Sequence, residues 1–132
     1  MREFLGIHQF INFATNAPLQ YALADFLRDH PGFHQELSYF YEQKRNLFNK
    51  LMSKTRFNLM PSAGTFFQLA DYSGINRRPD TEFAAWLTRE HKVAVIPVSV
   101  FYQQPPDQHI VRFCFAKHDQ TLQEAAERLI AL

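Results

Sequence analysis

Residues 109–122 read HIVRFCFAKHDQTL. Inside that stretch a permanently charged residue, Arg112, stands in an apolar run that alternates with strand period. The alternation sends Val111, Phe113 and Phe115 to one face and Ile110 and Cys114 to the other, with Arg112 between them. An arginine so placed has two readings. It can be structural, paired with an acid such as Asp71 or snorkelling past a strand end. Or it can receive an anion, most simply a substrate carboxylate, because its planar fork gives two parallel N–H···O bonds to one carboxylate. Each such charge-assisted bond is worth about 1.5–3 kcal/mol net. A mid-strand position favours the second reading, since a strand holds its side chains at fixed angles.

Other chemistry is less well supported. The histidines, at positions 8, 30, 34, 91, 109 and 118, are scattered, and Pro31 and Gly32 deny His30 and His34 a common helical face. With no HExxH and no cysteine pair, a zinc site is not expected. Gly6, Gly32, Gly64 and Gly74 lie too far apart for a phosphate-cradling loop, and no GxSxG elbow is present. Cys114 reads as a small buried hydrophobe rather than a nucleophile. VRFCFAK lacks the glycine and the basic field of an RNA-recognition strand. A Schiff-base lysine must be buried enough to shed its proton. Lys44, Lys50 and Lys54 fall on solvated helix positions, and Lys92 and Lys117 at element ends, so no catalytic residue is assigned in this chain.

The elements that would position Arg112 follow from periodicity and punctuation. NAPLQYALADFLRDHPG predicts a helix, with Pro18 in its first turn, one apolar face (Leu19, Ala22, Leu23, Phe26, Leu27) and HPG as its stop. A second helix is expected over Phe33 to Ser53, with Leu37, Phe40, Tyr41, Leu47, Phe48 and Leu51 as its stripe. RFNLM and GTFFQLADY then read as two strands joined through PSAG. RRPDTEFAAWLTREH is a third helix, with Asp80 as N-cap and Phe83, Trp86 and Leu87 facing in. KVAVIPV is a short strand ended by Pro97, VSVFYQQPPDQ a loop, and residues 109–116 another strand. The last helix starts at a capping Asp119 and buries Leu122, Ala125, Ala126, Leu129 and Ile130. That order predicts an α/β two-layer sandwich, a small, largely antiparallel sheet covered by helices.

Length and composition set outer bounds. The 132 residues suffice for one core. Fourteen basic and thirteen acidic side chains nearly cancel, which gives no electrostatic case for nucleic acid or an anionic membrane as partner. The single cysteine rules out an intrachain disulfide and fits a reducing, cytoplasmic compartment. No apolar run approaches the roughly 20 residues of a membrane helix, and no secretory signal is expected at the N-terminus. Phenylalanine is abundant, and MREFLGIHQFINFAT is crowded with it; Phe4, Leu5, Ile7, Phe10, Ile11 and Phe13 follow no clean period. They are read as covering a surface that belongs to a partner subunit or to another part of the same protein.

Five stretches, HQFINFATNAPLQYALADFL, YEQKRNLFNKL, PSAGTFFQLADYS, EFAAWLTREHKVAVIPVSVFY and VRFCFAKHDQTLQEAAERL, resemble the C-terminal part of class I/II (fold-type I) pyridoxal-phosphate aminotransferases. The resemblance is strongest to the branch of methionine aminotransferases and kynurenine–oxoglutarate transaminases. It implies that Arg112 binds the α-carboxylate of an amino-acid substrate from a small domain that closes over the site. Phe13, where that branch places an aromatic near the partner's substrate, and Phe101 are the other candidate substrate contacts. Ala14 stands where some relatives carry a histidine. The resemblance further implies that the cofactor lysine, the aspartate facing the pyridine nitrogen and most phosphate ligands precede this region. Residues 1–32 then correspond to the end of the large domain and a linker helix, and residues 33–132 to the C-terminal small domain. The expectation is a fragment of a homodimeric enzyme that moves an amino group from an amino acid of methionine or aromatic type to a 2-oxo acid. The chain alone is expected to be inactive and to hold no pyridoxal phosphate. The alternative is a stand-alone module that binds a small carboxylate through Arg112 and dimerises through its aromatic N-terminus.

Overall fold

The computed structural model describes residues 2–11, 14–106 and 108–132. They fall into two compact units, Met1–Leu37 and Ser38–Leu132.

In the first unit, α1 spans Arg2–Ile11 and α2 spans Ala17–Asp29. The segment without a clean period is therefore helical in its described part. Phe4, Ile7 and Ile11 recur at helical spacing along one face, with Phe10 beside them and Leu5 off it, and none is buried. The start of α2 follows the sequence: Asn16 accepts a hydrogen bond from the Leu19 N–H at 3.3 Å, and proline occupies the first turn. At its end Phe26 packs on His30 and Phe33, with ring centroids 4.8 and 4.9 Å apart.

The second unit is a four-stranded sheet backed by helices. The helix α3 (Phe33–Met52), whose residues from Ser38 on belong to this unit, leads into β1 (Asn58–Leu59) and β2 (Phe67–Asp71), followed by α4 (Asp80–His91), β3 (Ile96–Pro97), a 3₁₀ turn at Ser99–Phe101, β4 (Ile110–Cys114) and α5 (Asp119–Ile130). The strand order is β1-β2-β4-β3, with every pairing antiparallel. This is the expected α/β sandwich. Its core joins Val111, Phe113 and Phe115, from one face of β4 and its extension, to Phe48 and Met52 of α3, Phe83 and Leu87 of α4, and Leu122 and Leu129 of α5. Aromatic rings connect the layers: Phe57 lies 5.3 Å from Phe113 and 6.1 Å from Phe83, and Tyr72 stacks on Phe83 at 3.8 Å with the rings almost parallel. The Tyr72 hydroxyl donates to the Arg78 carbonyl at 2.8 Å, so its polar end is satisfied inside the core.

Several local expectations change. Asp80 and Asp119 are the first residues of their helices, not N-caps; Pro79 and His118 take those places without side-chain cap bonds. The Asp80 carboxylate binds Ser99 instead, and Asp119 pairs with Lys44. The strand expected in KVAVIPV shrinks to Ile96–Pro97, because α4 closes on Lys92 in a left-handed conformation (φ 58°) and Val93 turns into the core. Cys114 is exposed rather than buried, since it lies on the sheet face away from the helices. No helix of the described residues is long and apolar enough to cross a membrane.

Candidate carboxylate-binding site

Register fixes which side chains share the face away from the helices. Arg112 stands opposite Leu69 on β2 and Ile96 on β3, Cys114 opposite Phe67, and Ile110 opposite Asp71. Partners across an antiparallel ladder point the same way, so these residues form one surface. None of them is buried, whereas the intervening Gln68, Ala70, Val111 and Phe113 are. Arg112 occupies the centre of this surface, on an inner strand paired on both sides.

Two aromatic rings hold the guanidinium. Its Cζ lies 4.8 Å from the centroid of Phe67 and 5.3 Å from that of Phe101. Each contact contributes about 0.5–1 kcal/mol at a partly exposed site. A ring over the guanidinium plane occupies the cation's apolar face and leaves its edge donors for an anion. Among the described residues no carboxylate lies within 4.0 Å of it; the ion pairs found there join Arg28 to Asp25 and Asp29, Lys44 to Asp119, and Arg45 to Glu42. Asp71, the acid considered as its structural partner, accepts the Ser73 N–H at 2.7 Å.

The surrounding turns place the two rings. Thr65, two residues before β2, has φ 72°, an uncommon conformation for a β-branched residue. Its hydroxyl receives the Phe67 N–H at 3.2 Å and lies 3.1 Å from the Phe67 carbonyl, so the strained turn is tied to the residue whose ring meets Arg112. A cleft of about 240 Å³ runs along this turn, lined by Ser62, Gly64, Thr65 and Phe67 among others. Phe101 comes from the 3₁₀ turn and is 62% exposed.

Of the sequence-derived site residues, Arg112 and Phe101 are thus brought together, and Phe13 lies outside the described residues. Phe67 was not singled out; an aromatic in an alternating strand reads as core, and only the register across to β4 shows that it faces the arginine. No group of three or more metal-ligating side chains clusters among the described residues.

The family model for aminotransferase class I and II matches residues 3–129. The chain belongs to the class I and II aminotransferases. It is 45% identical over 127 residues to the methionine aminotransferase of Escherichia coli K12, covering 96% of this chain and 33% of that protein. It is 32% identical over 151 residues to kynurenine–oxoglutarate transaminase 1 of Mus musculus, covering 98% of this chain and 35% of that one. Among solved structures, an Escherichia coli protein with a methionine aminotransferase function superposes with a TM-score of 0.86 at 45% identity, over 96% of this chain and 34% of that one. N-succinyldiaminopimelate aminotransferase from Mycobacterium tuberculosis gives 0.83 at 32% identity, over 93% and 32%. This aminotransferase chain spans about a third of the length of the curated relatives it matches.

Proposed function

We propose that the chain is the C-terminal portion of an aminotransferase and that Arg112 receives the α-carboxylate of its amino-acid and 2-oxo-acid substrates. The observation that carries this reading is the state of Arg112: central on the sheet, partly exposed, flanked by Phe67 and Phe101, and with no carboxylate among the described residues within 4.0 Å. A bidentate carboxylate would meet donors already oriented by the two rings. The apolar rim, with Ile96, Leu69 and both phenylalanines, suits a substrate with an apolar side chain, and methionine and kynurenine transaminases stand among the relatives. Phe101, and Phe13 from the N-terminal segment, are proposed as further substrate contacts.

Pyridoxal phosphate, the cofactor of the family, does not fit the residues present. Lys50, Lys54, Lys92 and Lys117 are exposed, and Lys44, the only lysine with a partly buried side chain, is paired with Asp119. None has the desolvated setting that an imine-forming lysine needs. The cofactor is accordingly assigned to the part of the parent enzyme outside these 132 residues. Residues 1–32 are read as the end of its large domain with a linker helix, and residues 33–132 as its small domain. The exposed Phe4, Leu5, Ile7, Phe10 and Ile11 of α1 are read as part of a homodimer interface in the parent.

Calorimetric titration of the chain with 2-oxo acids and methionine separates this reading from a free-standing carboxylate-binding module. A portion of a larger site is expected to give no measurable affinity. Saturable binding abolished by Arg112→Ala would point to the module instead. Reading the coding sequence upstream of Met1 tests the parentage: an open frame is expected, and in-frame stops would contradict it.

A further inference from the structure

Asp80 has both carboxylate oxygens committed to one residue nineteen positions away. Oδ2 accepts the Ser99 N–H at 2.7 Å, and Oδ1 accepts the Ser99 hydroxyl at 2.6 Å. Ser99 opens the 3₁₀ turn that ends in Phe101, the ring 5.3 Å from the Arg112 guanidinium. From these contacts we infer that Asp80 is a positioning residue for the carboxylate site, clamping Ser99 so that Phe101 stays over Arg112. The inference rests on the reading of Arg112 given above and adds a residue that does not itself touch the guanidinium.

Beyond the ladder that pairs Ile96 and Pro97 with β4, three features make the clamp the main tie on the turn's own residues. First, its bonds are short and charge-assisted, the stronger class of hydrogen bond. The tie from the other side of the turn, from the Val98 N–H to the Ile110 carbonyl, is 3.4 Å, at the weak limit of such bonds. The remaining bonds, Phe101 N–H to Val98 and Tyr102 N–H to Ser99, lie within the turn and shape it without anchoring it. Second, Phe101 is largely exposed, so packing does not fix its ring; the backbone of the turn must. Third, Asp80 is well suited to the task. It sits in the first turn of α4, where the helix dipole favours a negative charge, and α4 is rooted in the core through Phe83 and Leu87. Position is thereby transmitted from a rigid helix through Ser99 to an exposed ring. A guanidinium already in contact with two rings loses less rotamer freedom when a carboxylate arrives.

The test is NMR on the 132-residue chain with Asp80→Asn, Ser99→Ala and Ser99→Thr. The readouts are the NOEs between the Phe101 ring and the Arg112 side chain and the Arg112 Hε resonance. The NOEs between Tyr72 and Phe83 report an intact core. Wild type and Ser99→Thr, which keeps the hydroxyl, are expected to show the Phe101–Arg112 NOEs. Asp80→Asn, which can keep neutral versions of both bonds but removes their charge assistance, is expected to weaken these NOEs and to move the Hε resonance toward that of a solvated arginine, with the core NOEs retained. Ser99→Ala is expected to weaken them. If Asp80→Asn also disturbs the core, Ser99→Ala decides. Unchanged Phe101–Arg112 NOEs in both variants, or their absence from the wild type, would overturn the inference. No carboxylate is added, so this outcome is independent of whether Arg112 binds one.

Discussion

Replacing Arg112 by methionine asks whether the arginine is kept for folding or for a ligand. The described structure gives it two interactions to lose, the cation–π contacts with Phe67 and Phe101 at 4.8 and 5.3 Å. At about 0.5–1 kcal/mol each, these set a loss of about 1–2 kcal/mol. Methionine restores part of it, because a thioether beside an aromatic ring contributes about 0.3–1.5 kcal/mol. Arg112→Met should therefore destabilise the second unit by no more than about 1 kcal/mol. An arginine paired with a buried acid behaves differently: breaking such a pair costs about 3–5 kcal/mol. Urea unfolding separates the two cases. The single tryptophan, Trp86, lies on α4 with its ring 5.5 Å from that of Phe83, and its fluorescence reports the core of that unit. The midpoint should shift slightly at constant slope. A loss of 3 kcal/mol or more would refute the reasoning and return Arg112 to a structural role.

Further outcomes follow from the same structure. Lys92 closes α4 with φ 58°, a conformation that costs a side-chain-bearing residue about 1–2 kcal/mol; allowing for the greater unfolded-state entropy of glycine, Lys92→Gly should raise stability by up to about 1 kcal/mol in the same urea assay. A clear loss would show that the strain is absent. Hydrogen exchange should be fastest in α1 and α2, which bury no residue, and slowest in β2 and β4; equal protection throughout would contradict this ordering. Treating the chain with pyridoxal phosphate and borohydride should label several lysines substoichiometrically. Complete labelling of one lysine would overturn the statement that no lysine here is set up to form the imine.

The sheet and its arginine were legible because β4 alternates cleanly and its helix-facing residues, Val111, Phe113 and Phe115, are unmistakably core. The helices α2 to α5 were legible for a related reason, their apolar residues recurring at helical spacing. Helix α1 was not, because Leu5 lies off the face that Phe4, Ile7 and Ile11 share and a ten-residue segment offers few repeats from which to read the period. Asp80 looked like a cap, since the local pattern of an acid at a helix start is the same whether its oxygens turn to the helix or elsewhere. Its partner Ser99 is nineteen positions on, a distance that local pattern does not report. Phe67 was hidden similarly: its meeting with Arg112 depends on β2 and β4 pairing with Leu69 opposite Arg112. Composition and spacing alone left open whether Arg112 was structural or functional. Resemblance to a family inclined the reading, and the absence of a carboxylate within 4.0 Å among the described residues now supports it.

The most direct measurement is the amino-transfer kinetics of the full-length parent enzyme proposed above, carrying Arg112→Lys and Arg112→Ala. Lysine keeps the charge but not the fork, so one charge-assisted bond of about 1.5–3 kcal/mol is lost and kcat/KM should fall roughly 10- to 150-fold. Alanine removes both bonds, and the fall should reach roughly 10²- to 10⁴-fold. Values within about twofold of wild type for both variants, well below the effect of one lost bond, would show that Arg112 does not hold the substrate carboxylate.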